Sequence, residues 1–180
     1  MSKPEWSHPI RLEDVPGNGS TLNLSATQED CARLATRLGV EAVLAVGATV
    51  RVVPVRAGRL EITGVVEGQV RQICGASLEE IDSAIREELS VEAVPEDEFD
   101  EDAFTSDEVM SDPEAFLDAP DQEPIIDGAV DLAELCTQYF ALGIDTNPRH
   151  PELERVEYNE DSSPDGKNPF SALAELNRRH

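Results

Sequence analysis

The chain has 180 residues, a formal net charge of -24 at pH 7 and a hydrophobic content of 39%, with only 4% aromatic residues. This length suits one domain of ordinary size, whose core must be built mainly from aliphatic side chains. So acidic a chain repels phosphate backbones and attracts cationic partners, which argues against nucleic-acid binding through overall charge and favours a basic protein as partner.

The amino-terminal part predicts two strands and a helix with clear ends. Alternating apolar residues indicate a strand over residues 6–15, and a second short strand covers residues 21–24. Thr27 can cap the following helix, with Asp30 three residues later as in a capping box, and Gly39 ends it.

A β-rich stretch follows this helix, and its strands are expected to form an antiparallel meander. Strands are predicted over residues 42–46, 49–55 and 60–74. Gly47 marks a turn between the first two. Pro54 has no backbone donor, so its strand is expected at a sheet edge or bent at that point.

The strand over residues 60–74 is expected to bury one side. Gly64 and Gly68 within it indicate bends or bulges. The residues predicted to be buried are Leu60, Ile62, Val66, Val70 and Cys74.

Residues 78–94 fit two patterns. Ile81, Ile85 and Leu89 share a helix face, but together with Val91 and Ala93 they also fit an alternating strand. Because the surrounding sequence is β-rich, we favour a strand from about Ile85 onward.

The region between Glu87 and Pro148 contains no Lys, Arg or His. Its prolines interrupt regular structure and its apolar content is too low to offset ordering entropy, so we predict a mobile acidic insertion at residues 96–124. This segment is interpreted either as an arm that binds a cationic partner or as a solubilising linker. The candidate partner-binding residues are Glu96, Asp97, Glu98, Asp100, Glu101 and Asp102.

An amphipathic helix is predicted over residues 130–142, ended by Gly143 and packed on the sheet. Residues 151–180 are expected to form an extended tail with a short terminal helix. The fold class is therefore α+β: an antiparallel β-meander sheet with one or two packed helices, plus a disordered acidic insertion. The single domain comprises residues 1–95 and 125–150.

Little in the chain points to catalysis. Cys74 has Ser77 where a zinc motif would place a second cysteine, and the histidines are scattered, so we expect no metal and no cofactor. Cys136 is expected to be a packing residue rather than a nucleophile. We therefore expect a protein that is not an enzyme.

No segment approaches the roughly 20 apolar residues of a membrane helix. The widely spaced cysteines, odd in number, fit a reducing cytosol. We expect a cytoplasmic protein without a membrane partner.

Four arginines along the predicted meander support an alternative hypothesis, direct contact with RNA through a local basic patch. These are Arg51, Arg56, Arg59 and Arg71. No aromatic residues stand near them for base stacking, and isolated arginines on strands are usually solvated or paired.

Several stretches of the sequence, taken in order, resemble one family. Residues 65–79 are similar to a strand leading into a Cys-x-x-Cys/Thr-Leu-Glu turn, and residues 130–135 and 141–151 to a late helix followed by a Leu-x-Leu-x-x-x-Pro stretch. The family is YceD, the large ribosomal RNA subunit accumulation proteins of bacteria and plastids, and residues 168–173 resemble the tail of its alphaproteobacterial branch. The candidate motif positions are Cys74, Leu78, Glu79, Pro148, Arg149 and His150.

This resemblance implies a part in the synthesis, processing or stability of 23S rRNA. In the family the gene often neighbours one for a small, basic large-subunit protein. The hypothesis is a factor that binds a basic ribosomal protein or assembly factor, with rRNA contacted directly or indirectly. Arg149 and His150 are either part of a functional surface or a polar loop between prolines.

Overall fold

The computed structural model describes residues 4–99 and 121–150, which contain seven strands, two α-helices and two short 3₁₀ turns. The strands are β1 (Pro9–Arg11), β2 (Ser20–Ser25), β3 (Ala42–Pro54), β4 (Leu60–Ile73), β5 (Glu80–Pro95), β6 (Asp121–Ile125) and β7 (Ala129–Asp131). The helices are α1 (Gln28–Leu38) and α2 (Leu132–Leu142), and the 3₁₀ turns are Leu12–Asp14 and Arg56–Gly58.

The main sheet has five strands in the order β2-β3-β4-β5-β6. Strands β2 to β5 form an antiparallel meander, which confirms the predicted α+β fold. Strand β6 was not predicted, and it runs parallel to β5 at the end of the sheet. Strands β1 and β7 pair antiparallel in a separate two-stranded sheet.

Both helices pack on one face of the sheet, the inner face, α1 against β3 and α2 against β4 and β5. The predicted ends of α1 are confirmed: Thr27 and Asp30 form the capping box, and Gly39 is left-handed with a φ of 67°. The apolar face and the end of α2 are also confirmed, since Leu132, Cys136 and Phe140 are fully buried. Its predicted start at residue 130 is wrong: Ala129–Asp131 form β7, and Asp131 caps the helix, which begins at Leu132. All five residues predicted to line the buried side of β4 are fully buried.

The turn predicted at Gly47 and the edge position, one of the two alternatives predicted for Pro54, are wrong. Gly47 does not turn the chain, because it pairs with Ser25 on one side and Glu67 on the other. A Cβ at Gly47 would lie 3.0 Å from the Leu24 carbonyl oxygen, so the glycine allows close approach of β2. Pro54 is not in an edge strand, because β3 lies between β2 and β4; it is the last residue of β3 and leaves the ladder intact.

Gly64 and Gly68 are not bulged residues, because β4 pairs with β5 without a break and the one register shift against β3 lies on β3, between Val43 and Ala45. Instead, the missing side chains at both glycines allow close approach of neighbouring atoms. A Cβ at Gly68 would lie 2.4 Å from the Ala45 carbonyl oxygen and 2.7 Å from Phe140 Cε2. The absence of a side chain at Gly68 lets the Phe140 ring of α2 pack directly on the sheet.

Some predicted bounds differ from those in the structure. The first strand is shorter than predicted, because a 3₁₀ turn replaces its second half. The ambiguous segment forms strand β5, which confirms the β interpretation, but the strand begins at Glu80 rather than at about Ile85. Strand β6 begins at Asp121, so the predicted insertion at 96–124 extends too far at its end. Residues 100–120 of that insertion and the tail at 151–180 lie outside the described residues.

Gly68→Ala is expected to lower the free energy of unfolding by about 1–3 kcal/mol, because the new methyl group overpacks the contact between Phe140 and the sheet. Urea unfolding followed by circular dichroism measures this change. Gly17→Ala is the matched control, because nothing lies within 4 Å of a Cβ there. Equal stability of the two variants would contradict the packing role of Gly68.

Candidate functional site

The turn between β4 and β5 contains three of the sequence-predicted motif positions, Cys74, Leu78 and Glu79. The Cys74 N–H donates to the Glu79 carbonyl over 2.8 Å, and the Leu78 N–H donates to the Cys74 carbonyl over 3.0 Å. The Ser77 N–H donates to the buried Cys74 sulfur over 3.3 Å. Leu78 is left-handed with a φ of 61°, an uncommon conformation for leucine, and its side chain is 77% exposed.

The same turn contacts the segment after α2, which brings Pro148 to the other motif residues. The Gly75 N–H donates to the Pro148 carbonyl over 2.9 Å. The Gln72 side chain donates to the Asp145 carbonyl over 2.7 Å, while its buried Oε1 accepts no hydrogen bond within the described structure. Arg149 is exposed, and His150 is half-buried.

The candidate partner-binding carboxylates belong to residues 96–102, which we call the acidic run. Its described part, residues 96–99, forms a turn directly after β5. The Glu98 N–H donates to the Pro95 carbonyl, and Arg59 donates to the Glu98 carboxylate over 2.8 Å. Glu96 and Asp97 are exposed. Asp100, Glu101 and Asp102 lie outside the described residues.

The structure does not gather the four candidate RNA-binding arginines. Arg51 lies opposite Thr63 in the sheet. Arg71 follows eight residues later on β4, about 26 Å away at about 3.3 Å per residue. Arg56 and Arg59 belong to the turn between β3 and β4, at the end of the sheet opposite Arg71.

Two of these arginines are held by carboxylates. Arg59 bridges Glu92 and Glu98, and Arg71 donates two hydrogen bonds to Asp82 over 2.6 and 2.8 Å. The hydrogen bond from Arg71 lowers the pKa of Asp82. Neither guanidinium is positioned as an isolated cation for a phosphate.

A groove not predicted from the sequence lies beside the amino-terminal end of α2, with a volume of about 680 Å³. Its apolar lining consists of Pro4, Pro9, Pro124, Ile126, Ala129 and Val130. Its charged lining consists of Glu5, Arg37, Glu123, Asp131 and Glu134. We call it the acidic groove.

Two charged residues of the acidic groove fix its walls. Arg37 of α1 donates to both Glu134 oxygens over 2.7 and 2.6 Å and to Glu5 over 2.9 Å. Asp131 caps α2 through the N–H groups of Ala133 and Glu134, and it also accepts a bond from the His8 N–H. These contacts join the amino-terminal segment to both helices.

Glu123 of β6 is the remaining carboxylate of the acidic groove. Burial raises the pKa of Glu123, and the nearby charge of Glu134 raises it further. Its ionised form is therefore less stable here than in water, and a second cation would favour it.

The sequence contained one signal for this region, the dipeptide Asp127-Gly128. Both residues have positive φ, 51° and 74°, and they form the tight turn between β6 and β7. Asp-Gly between apolar residues is a strong hairpin signal. The groove itself has no local signal, because Glu5 and Glu134 are far apart in the chain.

A family model described as "Large ribosomal RNA subunit accumulation protein YceD" matches residues 62–177, which is more than half of the chain. The chain belongs to the YceD family. No curated protein and no solved structure matches it. Family membership assigns this YceD chain a role in the accumulation of large-subunit ribosomal RNA.

The family match places the Cys74–Glu79 turn, the acidic run, Glu123 and α2 within the YceD region. Strands β1 to β3 and helix α1 of this YceD chain precede the matched residues. The acidic groove therefore combines Glu5 and Arg37 from outside the match with residues inside it.

Other features of the YceD chain concern metals, membranes and thiols. Within residues 4–99 and 121–150, no group of three or more His, Cys, Asp or Glu side chains could hold a metal ion. No helix in these two ranges is long and apolar enough to cross a membrane. Cys136 is fully buried, and burial raises its pKa to about 12.

Glu123→Gln is expected to raise the free energy of unfolding at pH 7. A carboxyl group whose pKa is raised on folding binds its proton more tightly in the folded state, so stability falls as pH rises through the folded pKa. Gln removes this effect. The gain should not exceed about 1 kcal/mol, because the side chain is partly exposed.

The measurement is urea unfolding of Glu123→Gln and wild type across pH, with the exposed Glu88→Gln as control for net charge. The difference between Glu123→Gln and wild type should vanish in acid, where Glu123 is protonated. If Glu88→Gln raises the free energy of unfolding at pH 7 by the same amount, the environment of Glu123 is not the cause of the gain.

Cys136 is expected to resist alkylation by iodoacetamide in the native protein at pH 8, because the thiolate is the reactive form and the side chain is fully buried. Peptide mapping by mass spectrometry measures its modification. Labelling in urea is the control and should modify Cys136 fully. Rapid native labelling would contradict its packing role.

Proposed function

We propose that this YceD protein supports large-subunit rRNA accumulation as a non-enzymatic factor that binds a basic large-subunit ribosomal protein or assembly factor. Its acidic surface supplies the attraction, and the folded domain supplies the shape that selects the partner. We place this activity in the cytoplasm. Contact with rRNA is then indirect, through the bound protein.

The neutralisation of five arginines, among them two of the four candidate RNA-binding residues, is the observation that carries this proposal. Ion pairs with carboxylates involve arginines on α1, on strands β4 and β5, and in the turn before β4. The paired residues are Arg33, Arg37, Arg59, Arg71 and Arg86. Since the chain has 38 acidic and 14 basic residues, pairing of its cations leaves a surface dominated by carboxylates.

The acidic run supports the same proposal. Arg59 holds Glu98 beside the turn between β3 and β4, which fixes the described start of the run to the folded domain. Glu96 and Asp97 at that point are exposed. A cationic partner attracted by the run is thereby brought to the folded domain.

The domain is expected to bind a purified basic large-subunit ribosomal protein, and the affinity should fall at least about tenfold between about 50 and about 300 mM salt because screening weakens exposed charge pairs. Fluorescence anisotropy measures the affinity. Arg51→Gln/Arg56→Gln should leave this binding intact or improved, because it makes the surface more acidic. Salt-independent binding would contradict the proposal.

The same variant tests direct RNA binding. If the sheet binds rRNA, Arg51→Gln/Arg56→Gln should lose retention of a large-subunit rRNA fragment, whereas the matched control Arg11→Gln, on β1, should retain it. In cells, crosslinked purification with and without ribonuclease distinguishes the two modes. Recovery of basic large-subunit proteins that survives ribonuclease supports the proposal, and recovery that vanishes contradicts it.

A further inference from the structure

We propose that the acidic groove is the docking site for an arginine or lysine side chain of an extended basic segment in the partner protein. This inference rests on the proposed function and assigns it a location. The lining of the groove combines apolar side chains with carboxylates. Long cationic side chains have the same division into an apolar stem and a charged head.

Arg37 shows how these carboxylates hold a guanidinium. It donates two bonds to Glu134 and one to Glu5, the fork geometry that favours arginine in paired sites. The partner's cation would lie beside this pair and use Glu123, because Arg37 does not contact Glu123 and the other such carboxylate, Asp131, already caps α2.

Glu123 is suited to this role by its position and its charge balance. It is half-buried on β6, and it lines the groove together with Glu134. Repulsion from Glu134 and loss of hydration both disfavour its ionised form. An incoming cation would relieve both effects, so binding should favour the ionised carboxylate.

The apolar walls are suited to the stem of the side chain. Pro4, Pro9 and Pro124 provide rigid walls, and Ile126 is 43% exposed at the groove. Methylene groups packed against these residues would lose contact with water while the charged head remains near Glu123. A volume of about 680 Å³ exceeds that of one side chain, so neighbouring backbone of the partner also fits.

The charge of the lining favours a cationic ligand in the groove. Among its charged lining residues the carboxylates outnumber the single arginine. Asp131 is already used to cap α2 and to hold the amino-terminal segment. Glu123 is therefore the residue whose removal tests binding with the least damage to the fold.

The test uses the full chain and a fluorescein-labelled peptide of alternating Arg and Ala, with a citrulline peptide as the neutral isostere. Glu123→Gln should weaken binding of the Arg peptide at least about fivefold. Glu88→Gln, which removes the same charge from the face of the sheet opposite the helices, should change it less than about twofold. Amide shifts in ¹⁵N spectra should concentrate at residues 123–131, and the citrulline peptide should not produce them.

A second variant keeps the test independent of Glu123. Ile126→Lys places a cationic side chain of the protein itself at the groove. It should weaken binding of the Arg peptide by a factor similar to that of Glu123→Gln. Equal effects of Glu123→Gln and Glu88→Gln, or shifts concentrated elsewhere, would overturn the groove assignment. If the basic ribosomal protein still binds with strong salt dependence in that case, the proposed function stands without the groove. If the wild-type protein binds neither the Arg peptide nor the ribosomal protein, both the proposed function and the groove assignment are wrong.

Discussion

The scarcity of cations is the constraint on which the surface of this protein depends. With 14 basic residues against 38 acidic ones, carboxylates compete for each arginine. Arg37 connects α1 to α2 and to the amino-terminal segment, Arg59 connects the turn before β4 to the chain after β5, and Arg71 crosses from β4 to β5. Exposed ion pairs contribute little stability each, so cohesion comes from the apolar core, while the pairs determine which carboxylates remain unbalanced.

The elements predictable from sequence are those governed by local rules. The capping box at Thr27 and Asp30 and the left-handed Gly39 fix α1 within a few residues of chain. The alternation along β4 fixes its buried side in the same way. The predictions for Gly47 and Gly68 are wrong because these glycines serve tertiary contacts. The missing side chain lets β2 approach Gly47 and lets the Phe140 ring pack on Gly68. No window of neighbouring sequence contains that information.

The same distinction between local and tertiary information applies to the candidate site. The turn at Cys74–Glu79 is contiguous, so its position could be predicted, and only its contact with Pro148 required the fold. The acidic groove joins the first residues of the chain to β6, β7 and the start of α2, and no spacing rule relates such distant segments. Arginines on strands can be counted from sequence, but their neutralisation depends on which carboxylate lies across the ladder, as for Arg71 and Asp82.

The family match begins at residue 62, inside β4, whereas β3 supplies the neighbouring strand along nearly the whole length of β4. A fragment cut at that boundary would leave β4 as a long strand with one row of unpaired N–H and C=O groups. Such an edge is a template for pairing with other chains. In this chain β3 occupies that edge, so the residues before the match belong to the same compact unit as the matched strands.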